Sequence, residues 1–110
     1  MAVDLDIDEC TRNDYTVIGV GGEIDVYTAP RLREKLDSVL DSEIASLCVD
    51  LTDVNFLDST GLGVLVGAMK RVNERGGRLL VVCARPHILK VFEVTGLTSV
   101  FDIRASIEEV

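Results

Sequence analysis

Asp58, Ser59, Thr60 and Gly61 stand together where two apolar segments meet, in the stretch FLDSTGLG (56–63). Two hydroxyls and a carboxylate at such a junction can do two things. The first is to cap a helix, because the first amides of a helix have no partner within it and a side-chain oxygen satisfies them. The second is to carry a modification. A helix N-terminus favours an anion through its free amides and its dipole, so phosphate on Ser59 need not unfold the chain. It would add roughly −1.5 to −2 charges to an acidic neighbourhood, enough to repel a partner docked there. Gly61, Gly63 and Gly67 follow, and each glycine inside a helix costs up to ~1 kcal/mol relative to alanine. Gly63 and Gly67 are four apart and share a face. The stripe either admits close approach of another part of the fold or leaves a shallow surface for a partner.

A second stretch, GGEIDVYTAP (21–30), places Glu23 and Asp25 after a strand end and Tyr27 and Thr28 before a helix. It reads as a tight turn with a capped helix, or as a polar, partly aromatic loop beside Ser59. Both stretches lead from a strand into a helix, and such loops gather at the carboxyl edge of a parallel sheet. Other chemistry is poorly supplied. His87 is the only histidine, beside Pro86 at a helix start. No G-x-S-x-G elbow surrounds Ser59, and no P-loop or G-x-G-x-x-G follows a strand. Asp25, Asp50, Asp53 and Asp58 can cluster, but no histidine or cysteine joins them. No catalytic set and no metal or cofactor site is expected.

The elements that position these residues follow from periodicity. Residues 3–7 alternate as a half-exposed strand, Asn13-Asp14 turns, and Tyr15 to Val20 forms a second strand ended by Gly21-Gly22. Thr28 caps a helix with Pro30 in its first turn and Ala29, Leu32, Leu36, Val39 and Leu40 inward. Leu47 to Leu51 reads as a central strand covered on both sides. A helix starts at Ser59 or Thr60 and runs to about Arg75, with Leu62, Leu65, Val66, Met69 and Val72 inward; Gly76-Gly77 stops it. Arg78 to Ala84 is a buried strand. Pro86 opens a helix with Ile88, Leu89, Val91 and Phe92 inward and Gly96 beyond its end. Val100 to Ile103 is a last strand, and Ser106 to Glu109 has the form of a capping box for a shortened final helix. The order β-β-α-β-α-β-α-β-(α) implies right-handed crossovers. It makes an α/β domain with a mixed, mostly parallel sheet of four to five strands and helices packed against it.

The 110 residues suit one domain, and 47% hydrophobic residues supply a core without disulfides. A net charge of −8 argues against a nucleic-acid-binding face or an anionic membrane and is compatible with a basic protein partner. Three widely spaced cysteines fit neither a zinc pattern nor a disulfide framework. Cys48 and Cys83 read as core residues, and the usage suggests a reducing cytoplasm. The N-terminus has no signal-peptide pattern, and the longest apolar-rich stretch, Leu62 to Met69, is too short to span a bilayer.

Asp58-Ser59-Thr60-Gly61-Leu62-Gly63, together with GGEIDVYTAPRLREKL (21–36) and GGRLLVVCARPHILKVFEVTGLTSVF (76–101), resembles the bacterial anti-sigma factor antagonists. These are the small single-domain STAS proteins of partner-switching systems. The resemblance covers nearly the whole chain, so residues 1–110 are expected to form one such domain. It implies a regulator, not an enzyme, that binds an anti-sigma factor with serine kinase activity and so releases a sigma factor. It also implies that this kinase phosphorylates Ser59 and switches the antagonist off, and that a metal-dependent serine phosphatase restores it. Asp25 would help form the docking surface, with Glu23, Tyr27, Thr28, Asp58, Thr60, Gly61, Gly63 and Gly67 around it. Three alternatives stand beside this. One is a STAS scaffold whose serine is never modified. Another is a receiver-type domain phosphorylated on Asp50, which finds Arg104 where it wants a lysine. The third is a small hydrolase using Ser59, which has no evident base.

Overall fold

The structure is a computed structural model that describes residues 5–110. Five strands run in spatial order β1 to β5: β1 Asp6–Arg12, β2 Tyr15–Ile24, β3 Ser46–Leu57, β4 Arg78–Val82 and β5 Asp102–Arg104. The first pair is antiparallel and the rest are parallel, so the expected mixed sheet is observed. The turn between β1 and β2 puts Asn13 and Asp14 at φ 47° and 72°, the left-handed pair that suits a two-residue hairpin. Helices α1 (Ala29–Leu40), α2 (Ser59–Glu74) and α3 (Pro86–Val94) follow β2, β3 and β4.

Each parallel strand is added on the same side of the one before it. Right-handed crossovers then leave all three helices on one face of the sheet. Accordingly Ile18, Val20, Val49 and Val81 share one core with Leu32, Leu65 and Phe92. Residues of the opposite register (Val17, Cys48, Leu80 and Val82) form a smaller cluster on the other face, covered by Tyr15, Ile107 and Val110. No second helix layer is needed there. The capping box expected at Ser106 is present, and it opens a single 3-10 turn, Ile107–Glu109, that packs on this cluster.

Several expected boundaries move. The first strand is centred later than residues 3–7, and residues 3 and 4 lie outside the described residues. Its polar second half, Asp8 to Arg12, is held by backbone pairing to β2 as an exposed edge, which demands no apolar alternation. The second strand does not stop at Gly21-Gly22. It slips register there, with Gly22 at φ 103°, and continues to Ile24. The extra residues at the register slips lie on β3, which bulges against β2, and Gly22 uses glycine's freedom at positive φ within its strand. The central strand likewise runs past Leu51 to Leu57, because Asp53 to Leu57 pair with Gly21 to Ile24. The fourth strand ends at Val82, two residues before Ala84, and the fifth lies at Asp102–Arg104, not 100–103. Leu89 and Val91 are half-buried flanks of α3, whose buried residues are Ile88 and Phe92.

Among the described residues no helix is long and apolar enough to cross a membrane. Cys48 and Cys83 are buried and Cys10 is exposed. Burial, then the charge of Asp50, pushes the Cys48 thiol up to about 12, and burial also raises Cys83. The thiolate is the reactive form. At pH 8 an aromatic disulfide reagent is therefore expected to titrate Cys10 alone in the folded chain and all three thiols in denaturant. Fast release of three equivalents from folded protein would contradict this packing.

Candidate functional site

The neighbouring parallel strands β2 and β3 end side by side, and the two stretches singled out in the sequence emerge there together. The Asp58 amide donates to the Ile24 carbonyl at 3.2 Å, so the chain entering α2 is tied to the chain leaving β2. The expected gathering at the carboxyl edge is observed.

The cap of α2 is Asp58 and not either hydroxyl. Its backbone is extended, and its Oδ1 accepts from the Thr60 amide at 2.9 Å and the Gly61 amide at 3.1 Å. A carboxylate there is favoured twice, by the unpaired amides and by the helix dipole. Relieved of capping, Ser59 and Thr60 occupy the first two helical positions with both side chains exposed. Neither hydroxyl makes a hydrogen bond among the described residues. Thus Ser59 Oγ stands in solvent at the positive end of a 16-residue helix.

The glycines divide by environment. Gly61 is buried, and a Cβ on it would lie 2.4 Å from Ile24 Cγ2 and 2.7 Å from Leu57 Cδ1. Close approach of α2 to the strand ends requires glycine at that position. Gly63 and Gly67 are exposed, and a Cβ on either meets nothing within 4 Å. These two form an open small-residue face on α2.

The loop after β2 is braced by Asp25. Its Oδ1 accepts from the Tyr27 amide at 2.9 Å and the Thr28 amide at 3.0 Å. Thr28 is the residue before α1, but its hydroxyl does not cap that helix. It turns back, donating to the Glu23 carbonyl at 2.7 Å and accepting from the Asp25 amide at 2.9 Å. With the hydroxyl engaged by these two partners, the expected cap is lost. Glu23 sits half-buried in β2 opposite Phe56. Thr28 is buried like Gly61, so these two shape the site from beneath, while Tyr27, Ser59, Thr60, Gly63 and Gly67 are exposed.

Sequence reasoning missed Val26 and Phe56, which are exposed at 57% and 44% beside Tyr27 at 86%. Two apolar residues in a loop otherwise composed of capping types were the available signal for Val26. Phe56 gave none, because a second register slip beside it breaks the strand's alternation. The four aspartates do not cluster as one group. Asp50 and Asp53 line a hollow on the open sheet face with Asp6 and Asp8, over Gly19 and Gly21, whereas Asp25 and Asp58 belong to the carboxyl edge. Strand register separates them: Asp50 and Asp53 lie opposite Gly19 and Gly21, well before the strand ends. Among the described residues no three histidines, cysteines or carboxylates are arranged to hold a metal. His87 Nε2 is 2.8 Å from the Asn55 carbonyl and so is engaged in tying α3 to β3.

The STAS domain profile matches residues 6–110. The anti-sigma-B factor antagonist of Bacillus subtilis is 42% identical over 108 residues, covering 98% of this chain and 96% of its own. That of Listeria monocytogenes is 39% identical over 104 residues, covering 94% and 90%. The crystal structure of an anti-sigma factor antagonist from Mycobacterium paratuberculosis matches with a TM-score of 0.88 at 28% identity, covering 96% of this chain and 89% of that one.

Proposed function

The chain belongs to the STAS domain family, and on that premise we propose that it is an anti-sigma factor antagonist switched by phosphate on Ser59. In its unmodified form it binds an anti-sigma factor that is also a serine kinase, and this frees a sigma factor for transcription. It acts in the cytoplasm as a regulator and catalyses no reaction of its own. The observation that carries the reading is the solvent-facing Ser59 hydroxyl at the first position of α2, left free because Asp58 does the capping. Support for the partner comes from relatives at 39% and 42% identity that are anti-sigma-B factor antagonists.

The chemistry at Ser59 is a phosphoryl transfer. Ser59 Oγ attacks the γ-phosphorus of ATP held by the kinase, the bond to the β-phosphate oxygen breaks, ADP leaves and the hydroxyl proton passes to a base of the kinase. The exposed hydroxyl can be reached without unfolding the helix. Asp58 Oδ1 already holds the Thr60 and Gly61 amides, so those donors are not free to neutralise the new phosphate. Its roughly −1.5 to −2 charges then stand on the surface beside Asp58 and the Asp25 loop, where they oppose docking by repulsion and desolvation. A metal-dependent serine phosphatase reverses the step by hydrolysing the phosphate ester. The docking surface comprises the loop from Glu23 to Thr28 and the first three turns of α2. Asp58, Thr28 and Gly61 support it, and Ser59, Thr60, Gly63 and Gly67 face the partner.

The test is incubation of the wild type and Ser59→Ala with Mg-ATP and the Bacillus subtilis anti-sigma-B factor, followed by intact mass and peptide mapping. One phosphate on the wild type, mapped to Ser59 and absent from the variant, is expected. Phosphate on Ser59→Ala at the normal rate overturns the assignment. Binding of the anti-sigma factor with no phosphate transfer points to an unmodified STAS scaffold.

A further inference from the structure

Three of the five exposed large hydrophobic residues among those described, Val26, Tyr27 and Phe56, lie at or just beyond the adjoining ends of β2 and β3, the edge from which Ser59 also emerges. We propose that Tyr27 is the anchor by which this surface docks, inserting its ring into an apolar hollow of the anti-sigma factor, and that Asp25 serves to present Tyr27 and not as a charge read by the partner. This inference rests on the function proposed above and names a contact and a positioning residue within it.

Tyr27 is the most exposed of the five, at 86%, yet its backbone is fixed. Its amide and that of Thr28 both bind Asp25 Oδ1, and the buried Thr28 hydroxyl ties the turn to Glu23. The third contact to the Asp25 side chain, from the Thr28 hydroxyl at 3.3 Å, also uses Oδ1. A fixed turn thus holds an aromatic ring out in water. An aromatic side chain buries about 150–250 Å² when covered, and with two side-chain torsions it loses little entropy on docking. Tyrosine is among the residues that dominate interface energetics. Val26 and Phe56 flank the ring with further apolar area. Phe56 pairs across the strands with Glu23 and precedes Ser59 by three residues. A bound partner covering the ring therefore also covers the hydroxyl, and phosphate on Ser59 would break the contact that Tyr27 makes.

The role given to Asp25 separates two variants. Asparagine retains an Oδ1 able to accept all three contacts but carries no charge; alanine loses both. The full chain is titrated with the Bacillus subtilis anti-sigma-B factor, and the thermal midpoint of each variant is recorded alongside. Tyr27→Ala is expected to bind roughly 30-fold or more weakly, the scale of an interface hot spot, and Tyr27→Phe within about threefold of wild type, since the apolar ring is kept. Asp25→Asn is expected to stay within about threefold and Asp25→Ala to lose roughly tenfold, the scale of one lost turn-holding contact set. Wild-type affinity for Tyr27→Ala, with the wild type binding, overturns the anchor while leaving the functional reading intact. Equal losses for Asp25→Asn and Asp25→Ala overturn the positioning role and make the charge the contact. A wild type that does not bind overturns the functional reading and this inference with it.

Discussion

Ser59→Glu is expected to weaken binding of the anti-sigma factor by about 100-fold, and to leave the unfolding midpoint nearly unchanged. The two halves of this expectation come from the same geometry. An acidic side chain in the first turn of a helix is favoured by the dipole, by about 0.3–1 kcal/mol at an exposed site, and Ser59 is exposed with no hydrogen bond to lose. The nearby Asp58 carboxylate opposes that gain, so the net change in stability is small. Docking is different. A charge taken into an interface without a partner typically costs 2–5 kcal/mol, and about 2.7 kcal/mol corresponds to 100-fold. The amides that might have compensated are held by Asp58 Oδ1. Ser59→Ala serves as the control and should bind like the wild type. Titration of the three proteins, with thermal melts beside them, decides it. Retained affinity of Ser59→Glu would mean that the partner does not cover this hydroxyl.

The second large effect concerns the glycines of α2, which are alike in sequence and opposite in consequence. Gly61→Val is expected to lower the unfolding free energy by about 3 kcal/mol, the upper part of the range for overpacking a well-filled core. Its Cβ alone would be 2.4 Å from Ile24 and 2.7 Å from Leu57, and both neighbours are strand residues held by their pairing. Gly63→Ala and Gly67→Ala are expected to raise stability by up to ~1 kcal/mol each, through helix propensity alone, since nothing lies within 4 Å of the added carbon. Urea unfolding with an unchanged m-value measures all three. Under the proposed docking face the same two alanine variants should bind the anti-sigma factor more weakly while unfolding later. A stability gain with unaltered binding would remove the open glycine face from the interface.

How far the sequence could be read is plain at particular residues. The helical spacing of Ala29, Leu32, Leu36, Val39 and Leu40 was sufficient to name the buried side of α1, because a helix fixes the direction of its side chains by period alone. Element order and the single-helix connections were sufficient for the mixed sheet and for bringing the loops of residues 23–28 and 58–61 to one edge. The run from Asp58 to Gly63 marked the start of α2.

Three-dimensional contact decided the rest. Asp58, Ser59 and Thr60 are all competent caps by type, and only the extended backbone of Asp58 aims its carboxylate at the Thr60 and Gly61 amides. Thr28 had the same competence at α1, but its hydroxyl is taken by the Glu23 carbonyl and the Asp25 amide. Gly21 and Gly22 look like a strand end in one dimension, but β3, bulging against them, supplied the pairing partners that carry β2 on to Ile24. The second of the two slips, between Gly22 and Glu23, turned Phe56 outward. Local chemistry therefore determined which residues could cap or pack. Which of them does so depended on a neighbouring strand, since hydrogen-bond partners and close contacts are set by distance in space and not along the chain.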